Sequence, residues 1–136
     1  MTCEYRIVTD FPPEFLRSAA RLYRIAGWVD DADTCDFLAP ALKGSCAVCA
    51  AYCGGSLAGI GRALGDGVSD AYIQDVAVDP AFRRRGVGTG IVRALVAELR
   101  RRGVDWIGLV GEPGTEDFYR SLGFADPPGF TFWRVP

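Results

Sequence analysis

The segment from Val76 to Gly90 constrains the fold of this chain more than any other, and it reads Val-Ala-Val-Asp-Pro-Ala-Phe-Arg-Arg-Arg-Gly-Val-Gly-Thr-Gly. The stretch that leads into it, Ala71 to Val78, is the most strand-like part of the sequence, and Asp79-Pro80 ends it. Beyond the glycines, apolar residues recur at helical spacing, at Ile91, Val92, Leu95, Val96 and Leu99. The sequence therefore predicts a strand, a glycine-rich turn and an amphipathic helix in direct succession.

A turn of this kind is suited to holding a phosphate. The start of a helix leaves several backbone N–H groups unpaired and carries a partial positive charge. Side chains at Gly86, Gly88 and Gly90 would block a close approach, and glycine removes that obstacle. Arg83, Arg84 and Arg85 add attraction for a multiply charged anion. No lysine follows the glycines as in a Walker motif. The alternative that stays open is an ordinary turn with solvated arginines.

The rest of the chain predicts an α+β protein, because helices and strands mix and the strands mostly follow one another in hairpins. Pro12-Pro13 opens a helix to about Ile25, and Gly54-Gly55 marks a hairpin turn. Further helices are predicted at about residues 33–42, interrupted by Pro40, and at 115–122. Further strands are predicted at about residues 4–9, 46–53, 56–64 and 104–110, with two closing strands around Phe124 and at 130–135.

Length and composition limit the class of protein. A chain of 136 residues fits one domain, residues 1–136, with a core of its own. The formal net charge of −2 argues against binding of bulk nucleic acid, which usually needs a basic surplus. No apolar run approaches the ~20 residues of a membrane span, and the N-terminus carries no export signal. We therefore expect a cytoplasmic protein with no nucleic-acid or membrane partner.

The five cysteines are expected to be reduced thiols in such a compartment. Cys46 and Cys49 have the spacing of metal ligands, but residues 46–53 are predicted to be a strand. Side chains three apart on a strand point to opposite faces, and the chain has no histidine to complete a site. We therefore interpret these cysteines as small buried hydrophobic residues and expect no metal.

Two motifs, at Arg83–Gly88 and Phe118–Phe124, together with the strand before the first of them, resemble those of the GCN5-related N-acetyltransferases. Arg83-Arg84-Arg85-Gly86-Val87-Gly88 is similar to that family's Arg/Gln-x-x-Gly-x-Gly/Ala signature, and Asp75 to Pro80 is similar to its fourth strand. Phe118 to Phe124 resembles its Phe-Tyr-x-x-x-Gly-Phe segment. The resemblance extends from about Tyr5 to Arg134. It implies a mixed, mostly antiparallel sheet flanked by helices, with the fourth and fifth strands splayed apart.

The resemblance also implies a function and a cofactor site. The chain would transfer an acetyl group directly from acetyl-CoA to a primary amine of a small molecule or peptide. The pantetheine arm would lie between the splayed strands, with the Val76 N–H polarising the thioester carbonyl, and backbone N–H groups from Arg84 to Thr89 would hold the pyrophosphate. The implied cofactor-binding residues are Val76, Ala77, Val78, Arg83, Arg84, Arg85, Gly86, Val87, Gly88, Thr89, Gly90, Phe118 and Tyr119.

Tyr119 matches the tyrosine that relatives use to protonate the departing thiolate. An acid placed there contributes ~10²–10⁴ in rate. The alternative is a packing role, since a half-buried tyrosine with a wet hydroxyl is common. At the position where some relatives carry a glutamate on the fourth strand, this chain has Tyr72.

A base for the acceptor amine must be a carboxylate, because the chain has no histidine. Asp75 is the first candidate, although strand alternation places it on one face with Ile73 and Ala77, where it alternatively braces the sheet. Glu112 is the second, at a position where relatives often carry an asparagine that contacts cofactor or substrate. Asp70 is the third.

The acceptor is expected against the first two helices and their connector. Trp28, Asp30 and Asp31 lie there, and an aromatic ring with carboxylates suits a cationic amine, although a solvated acidic loop fits equally well. Three alternatives stay open for the whole chain: a non-catalytic acyl-CoA-binding module, an O-acyltransferase, and an enzyme for longer acyl chains. Relatives commonly dimerise through their last strands, and the aromatic ending Phe130-Thr-Phe132-Trp133 allows a homodimer.

Overall fold

The computed structural model of the chain describes residues 2–136. In chain order, its elements are β1 (Cys3–Ile7), α1 (Pro13–Ile25), α2 (Leu38–Lys43), β2 (Ala47–Cys53), β3 (Ser56–Gly65), β4 (Asp70–Val78), a 3-10 turn (Pro80–Phe82), α3 (Val87–Arg101), β5 (Trp106–Leu109) and α4 (Glu116–Ser121). The strands form one sheet in the order β1-β2-β3-β4-β5. The first four strands are antiparallel, and β5 runs parallel to β4. The predicted fold class is confirmed.

The sheet separates two apolar clusters. The cluster under α3 includes Ala47, Cys49, Ala63, Ala71, Ile73, Ile91, Leu95 and Leu99. The cluster under α1 and α2 includes Phe15, Ala19, Leu22, Tyr23, Leu38, Leu42, Val48 and Ile60. The apolar face predicted for α1 is therefore confirmed. No helix within residues 2–136 is long and apolar enough to cross a membrane.

Helix α3 packs against β3 over two glycines, Gly59 and Gly61. A Cβ atom on Gly59 would lie 2.8 Å from the Ile91 side chain, and one on Gly61 would lie 2.6 Å from it. Both distances are shorter than a carbon–carbon contact allows, so a larger residue would push the helix outward. Since the glycine-rich turn leads directly into α3, these two glycines also fix the position of that turn.

Two predictions of secondary structure differ from the fold. Helix α2 begins at Leu38 rather than near Asp33, because the Asp33 carboxylate accepts the Cys35 N–H at 2.7 Å and holds a local turn. Pro40 does not interrupt α2, because it lies in the first helical turn, where a missing N–H costs nothing.

The two predicted closing strands are wrong: residues 122–136 form no strand. Phe124 instead donates its N–H to the Tyr119 carbonyl, which ends α4. Pro127 and Pro128 follow, and neither has an N–H to give to a strand ladder. Residues 125–136 are all exposed, and the exposed fractions of Trp133 and Val135 are 86% and 89%.

The prediction that all cysteines are reduced is also wrong. Cys3 and Cys53 form a disulfide, with their Cα atoms 4.2 Å apart. They lie directly opposite each other on the antiparallel strands β1 and β2, a pairing that brings their Cβ atoms within reach. The sequence alone does not reveal this disulfide, because the pairing depends on the register of two strands that are far apart in the chain.

The remaining thiols are Cys35, Cys46 and Cys49. Burial among apolar side chains raises the pKa of Cys49 to about 12, so this thiol stays protonated. Cys46 precedes β2 and packs against the same apolar cluster as Cys49. Strand alternation therefore does not separate these two residues as predicted.

The disulfide predicts a simple thiol count. Protein prepared without reductant and then denatured should expose three reactive thiols, and five after reduction. The bridge spans a sequence separation of 50, so the Cys53→Ser variant should lose about 4 kcal/mol of unfolding free energy in urea. The matched control is Cys35→Ser, which removes a thiol outside the bridge. Five thiols before reduction would contradict the pairing.

Candidate active site

The parallel strands β4 and β5 part after a short paired stretch. Their register runs from Asp70 opposite Trp106 to Ile73 opposite Leu109, where β5 ends. Strand β4 continues to Val78 with no strand on that side. The predicted splay is confirmed, and it leaves a gap beside the second half of β4.

A β-bulge at Asp75 divides β4 into two halves. Asp75 has a φ of +56°, and the pairing with β3 shifts from Arg62–Gln74 to Ile60–Ala77. The extra residue changes which side chains share a face. Ile73 belongs to the α3-side cluster, whereas Ala77 belongs to the α1-side cluster. The predicted alternation, with Asp75 facing alongside both Ile73 and Ala77, is therefore wrong.

The bulge also decides which backbone groups face the gap. The Asp79 N–H donates to the Ala58 carbonyl of β3 at 2.7 Å. Successive residues of a strand direct their N–H and C=O groups to alternate sides. Counting back from Asp79, the N–H and C=O groups of Val78 and Val76 point away from β3 and toward the gap.

The glycine-rich turn lies at the end of the same strand. Arg84 and Gly86 both have positive φ values, of +63° and +75°, and Gly86 precedes α3 without a side-chain cap. Gly86 thus leaves the first N–H groups of α3 without a capping side chain, at the positive end of a 15-residue helix. Arg83, Arg84 and Arg85 are exposed around this end.

The three glycines of the turn have three different roles. A Cβ on Gly90 would overlap the ring of Tyr5, which packs there from β1. A Cβ on Gly88 would lie 3.4 Å from Phe118 and 3.7 Å from Val78, in the space between the turn, β4 and α4. A Cβ on Gly86 would contact no atom, but Gly86 has a left-handed backbone conformation that favours glycine. The sequence pattern did not reveal the packing role of Gly90.

The turn before the glycines depends on Asp79, a residue that sequence reasoning missed. Its buried carboxylate accepts the Ala81 N–H at 2.9 Å and the Arg21 guanidinium of α1 at 2.6 Å. These bonds lower the pKa of Asp79, with the Arg21 bond as the larger cause. The Asp-Pro pair that ends β4 was the available signal, since aspartate commonly caps such a turn.

Tyr119 lies in an aromatic group beside the gap. Its ring is half-buried between Phe118 and Phe124, with centroid distances of 4.9 Å and 5.8 Å. Burial raises the pKa of Tyr119, and the charge of Glu112 raises it further. The hydroxyl therefore stays protonated at neutral pH. Glu112 is exposed in the segment that follows β5.

The other two candidate carboxylates lie elsewhere. Asp75 Oδ2 accepts hydrogen bonds from Arg62 Nε at 2.8 Å and from the Tyr23 hydroxyl at 2.9 Å. Asp70 starts β4 opposite Trp106, at the closed end of the gap. The charge of Glu112 thus acts on Tyr119, whereas Asp70 lies away from the open end of the gap.

The residues expected to bind the acceptor divide into two groups. Trp28 is half-buried and packs edge-on against Tyr23 at 5.2 Å, and Phe37 contacts the same ring at 6.0 Å. Since the Tyr23 hydroxyl donates to Asp75, Tyr23 connects Trp28 and Phe37 to the bulge. Asp30 and Asp31 lie in the exposed connector after α1.

The contact between Tyr5 and Gly90 predicts that even a methyl group at position 90 is harmful. Gly90→Ala should lose ~1–3 kcal/mol of unfolding free energy in urea, because the added carbon overpacks the Tyr5 ring. Gly88→Ala is the matched control in the same helical turn, and it should change stability less. Adding Tyr5→Ala to Gly90→Ala should recover part of the loss. A fully stable Gly90→Ala protein would contradict this packing role.

Comparison with known proteins places this geometry in a family. Residues 6–124 match the model of the Acetyltransferase (GNAT) family. The chain is 46% identical over 77 residues to serotonin N-acetyltransferase 2, chloroplastic, of Oryza sativa, which covers 54% of this chain and 38% of that protein. It is 46% identical over 69 residues to GCN5-related N-acetyltransferase 1, chloroplastic, of Arabidopsis thaliana, covering 50% and 35%. The chain thus spans little more than a third of the length of these relatives.

Solved structures share the whole fold at low sequence identity. A GNAT-family acetyltransferase from Streptococcus pneumoniae matches with a TM-score of 0.78 at 24% identity, covering 99% of this chain and 100% of the other. AAC(6')-Iy, in complex with the bisubstrate analog CoA-S-monomethyl-acetylneamine, matches with a TM-score of 0.76 at 17% identity, covering 100% and 99%. The resemblance seen in the motifs is confirmed, and the chain belongs to the GNAT family of acetyltransferases.

Proposed function

We propose that this chain transfers an acetyl group from acetyl-CoA directly to a primary amine of a small molecule or peptide. The observation that carries the proposal is the gap between β4 and β5, which opens beside the uncapped start of α3. An elongated cofactor with a diphosphate at one end and a reactive group at the other fits such an arrangement.

The residues of the turn fit a diphosphate. The N–H groups of Val87, Gly88 and Thr89 begin α3 and have no intrahelical partner. The missing side chain at Gly88 leaves space beside Phe118 and Val78. Exposed guanidinium groups at Arg83 to Arg85 add attraction at long range. In this proposal these groups bind the pyrophosphate of the cofactor.

The second half of β4 orients the acyl end. When bound, acetyl-CoA supplies an acetyl group activated as a thioester. The Val76 and Val78 backbone groups face the gap, so they hydrogen-bond the pantetheine arm, and the Val76 N–H polarises the carbonyl. A preorganised donor of this kind is worth ~10²–10³ in rate.

Two side chains handle protons in this proposal. Tyr119 stays protonated because its pKa is raised, and it protonates the departing thiolate. Glu112 is the favoured acceptor for the proton of the amine, directly or through water, because it is exposed and its charge acts on Tyr119. Asp75 is already bonded to Arg62 and Tyr23, which favours a bracing role for it.

The acceptor is proposed to bind on the α1 side, next to Trp28. Trp28 and Phe37 both pack against the buried ring of Tyr23 and form an aromatic surface, and Phe37 is 42% exposed. Such a surface attracts both aromatic and cationic amines. A relative named serotonin N-acetyltransferase makes arylalkylamines the first acceptors to test. Asp30 and Asp31 would attract the cation from the exposed connector.

The proposal predicts release of free CoA thiol from acetyl-CoA only when an amine acceptor is present. The assay should compare arylalkylamines, polyamines, aminoglycosides and peptides with free amino groups. Transfer to at least one amine, confirmed by the mass of the acetylated product, supports the proposal. Binding of acetyl-CoA by calorimetry, without transfer to any of these amines, would favour the non-catalytic module instead.

Removing the Tyr119 hydroxyl should slow catalysis without weakening cofactor binding. Tyr119→Phe should lower kcat ~10²-fold or more, because the thiolate would leave without its acid, while the Kd of acetyl-CoA should stay within about twofold. The matched control is Tyr52→Phe, which removes a hydroxyl from a half-buried tyrosine of β2. An unchanged kcat would exclude Tyr119 as the acid.

The pH profile provides a second check on the same residue. Since the pKa of Tyr119 is raised, wild-type kcat should fall only above the usual tyrosine value of about 10. Glu112→Gln removes a negative charge that raises this pKa, so the alkaline fall should move to lower pH. A shift in the opposite direction would contradict the assignment.

A further inference from the structure

A partly buried network of three side chains lies at the bulge in β4. Asp75 Oδ2 accepts both the Arg62 Nε–H, at 2.8 Å, and the Tyr23 hydroxyl, at 2.9 Å. Tyr23 is 3% exposed, and the Arg62 side chain is 12% exposed. Neither residue is therefore placed to touch an acceptor directly.

The network joins four elements of the fold. Tyr23 comes from α1, Arg62 from β3 and Asp75 from β4. Arg62 Nη1 also reaches the Ala41 carbonyl of α2 and the Ser45 hydroxyl, both at 3.4 Å. The Asp75 carboxylate is thus held by two donors from other elements, α1 and β3, and one of these donors, Arg62, also contacts α2.

The bulge needs such support because its backbone is unfavourable. Asp75 has a φ of +56°, a left-handed conformation that residues with a Cβ adopt only rarely and at a cost in energy. A regular strand would avoid this cost, but it would shift β4 by one residue against β3. Val76 would then take the place of Ala77 and direct its N–H toward β3 instead of the gap.

We propose that Tyr23 and Arg62 are positioning residues that, through Asp75, hold the bulge and aim the backbone of Val76 and Val78 into the gap. The inference rests on the proposed acetyl transfer, in which those backbone groups bind the acyl end of the cofactor. Burial and the neighbouring Asp75 carboxylate raise the pKa of Tyr23, so its hydroxyl remains a donor at neutral pH.

The test uses Tyr23→Phe, which removes the hydroxyl and keeps the ring that packs against Trp28 and Phe37. We expect kcat to fall about tenfold, because the thioester is no longer aligned with the Val76 N–H. The Kd of CoA should stay within about twofold, because the diphosphate binds at the α3 turn. Tyr52→Phe is the matched control and should leave kcat unchanged.

A second variant and a second readout separate positioning from stability. Arg62→Met should lower kcat at least as much as Tyr23→Phe, and Arg62→Lys should restore part of it. In ¹⁵N spectra, the amide signals of Val76 and Val78 should move in Tyr23→Phe but not in Tyr52→Phe. All assays are made where circular dichroism shows each variant folded.

Three outcomes have distinct meanings. If kcat stays within twofold in both Tyr23→Phe and Arg62→Met, the positioning role is overturned. A parallel loss of kcat and CoA affinity would also overturn it, since that pattern indicates general damage. If the wild-type protein transfers no acetyl group, the proposed function fails, while the Val76 and Val78 amide signals still decide whether the network holds the bulge.

Discussion

The parting of β4 from β5 is the constraint on which the rest of the structure depends. A strand in the middle of a sheet normally bonds on both sides, and unpaired backbone groups are costly unless water or a ligand satisfies them. From Gln74 to Val78, β4 bonds only to β3. Strand β5 is too short to follow it, because it ends at Leu109. This fold therefore keeps a set of hydrogen-bonding groups available at its centre.

Close packing places a second set of groups beside the first. Gly59 and Gly61 let α3 lie against β3, and Tyr5 fills the space under Gly90. The start of α3 is thereby fixed next to the open end of β4. The positive end of a helix and an open strand edge are each ordinary features. Their contact at one point is what makes the arrangement suited to a long, anionic, activated acyl donor.

Local features of the fold were predictable from the sequence. Helix α1 follows Pro12-Pro13 with its apolar face as predicted, and Gly54-Gly55 forms the expected hairpin turn with two positive φ values. The glycine-rich turn between β4 and α3 was predictable because its signal lies within fifteen consecutive residues. In each case the information is local, so neighbouring residues suffice to specify the structure.

The features that the sequence did not reveal all depend on contacts between distant segments. The Cys3–Cys53 bridge requires the register of β1 against β2. The packing of Gly90 requires Tyr5, which is far away in the chain. The face of the sheet on which the Asp75 side chain lies depends on the bulge, whereas the prediction from strand periodicity assumes regular alternation. The two predicted closing strands are a different case. Their apolar pattern is local, but residues 122–136 pair with no strand in the described structure.

The most direct test of the account is a crystal structure of the protein with acetyl-CoA. In that structure the diphosphate should lie on the N–H groups of Val87 to Thr89, with the pantetheine arm between β4 and β5 and the thioester carbonyl against the Val76 N–H. A cofactor bound elsewhere, or a gap closed by a side chain of the protein itself, would contradict the proposed site.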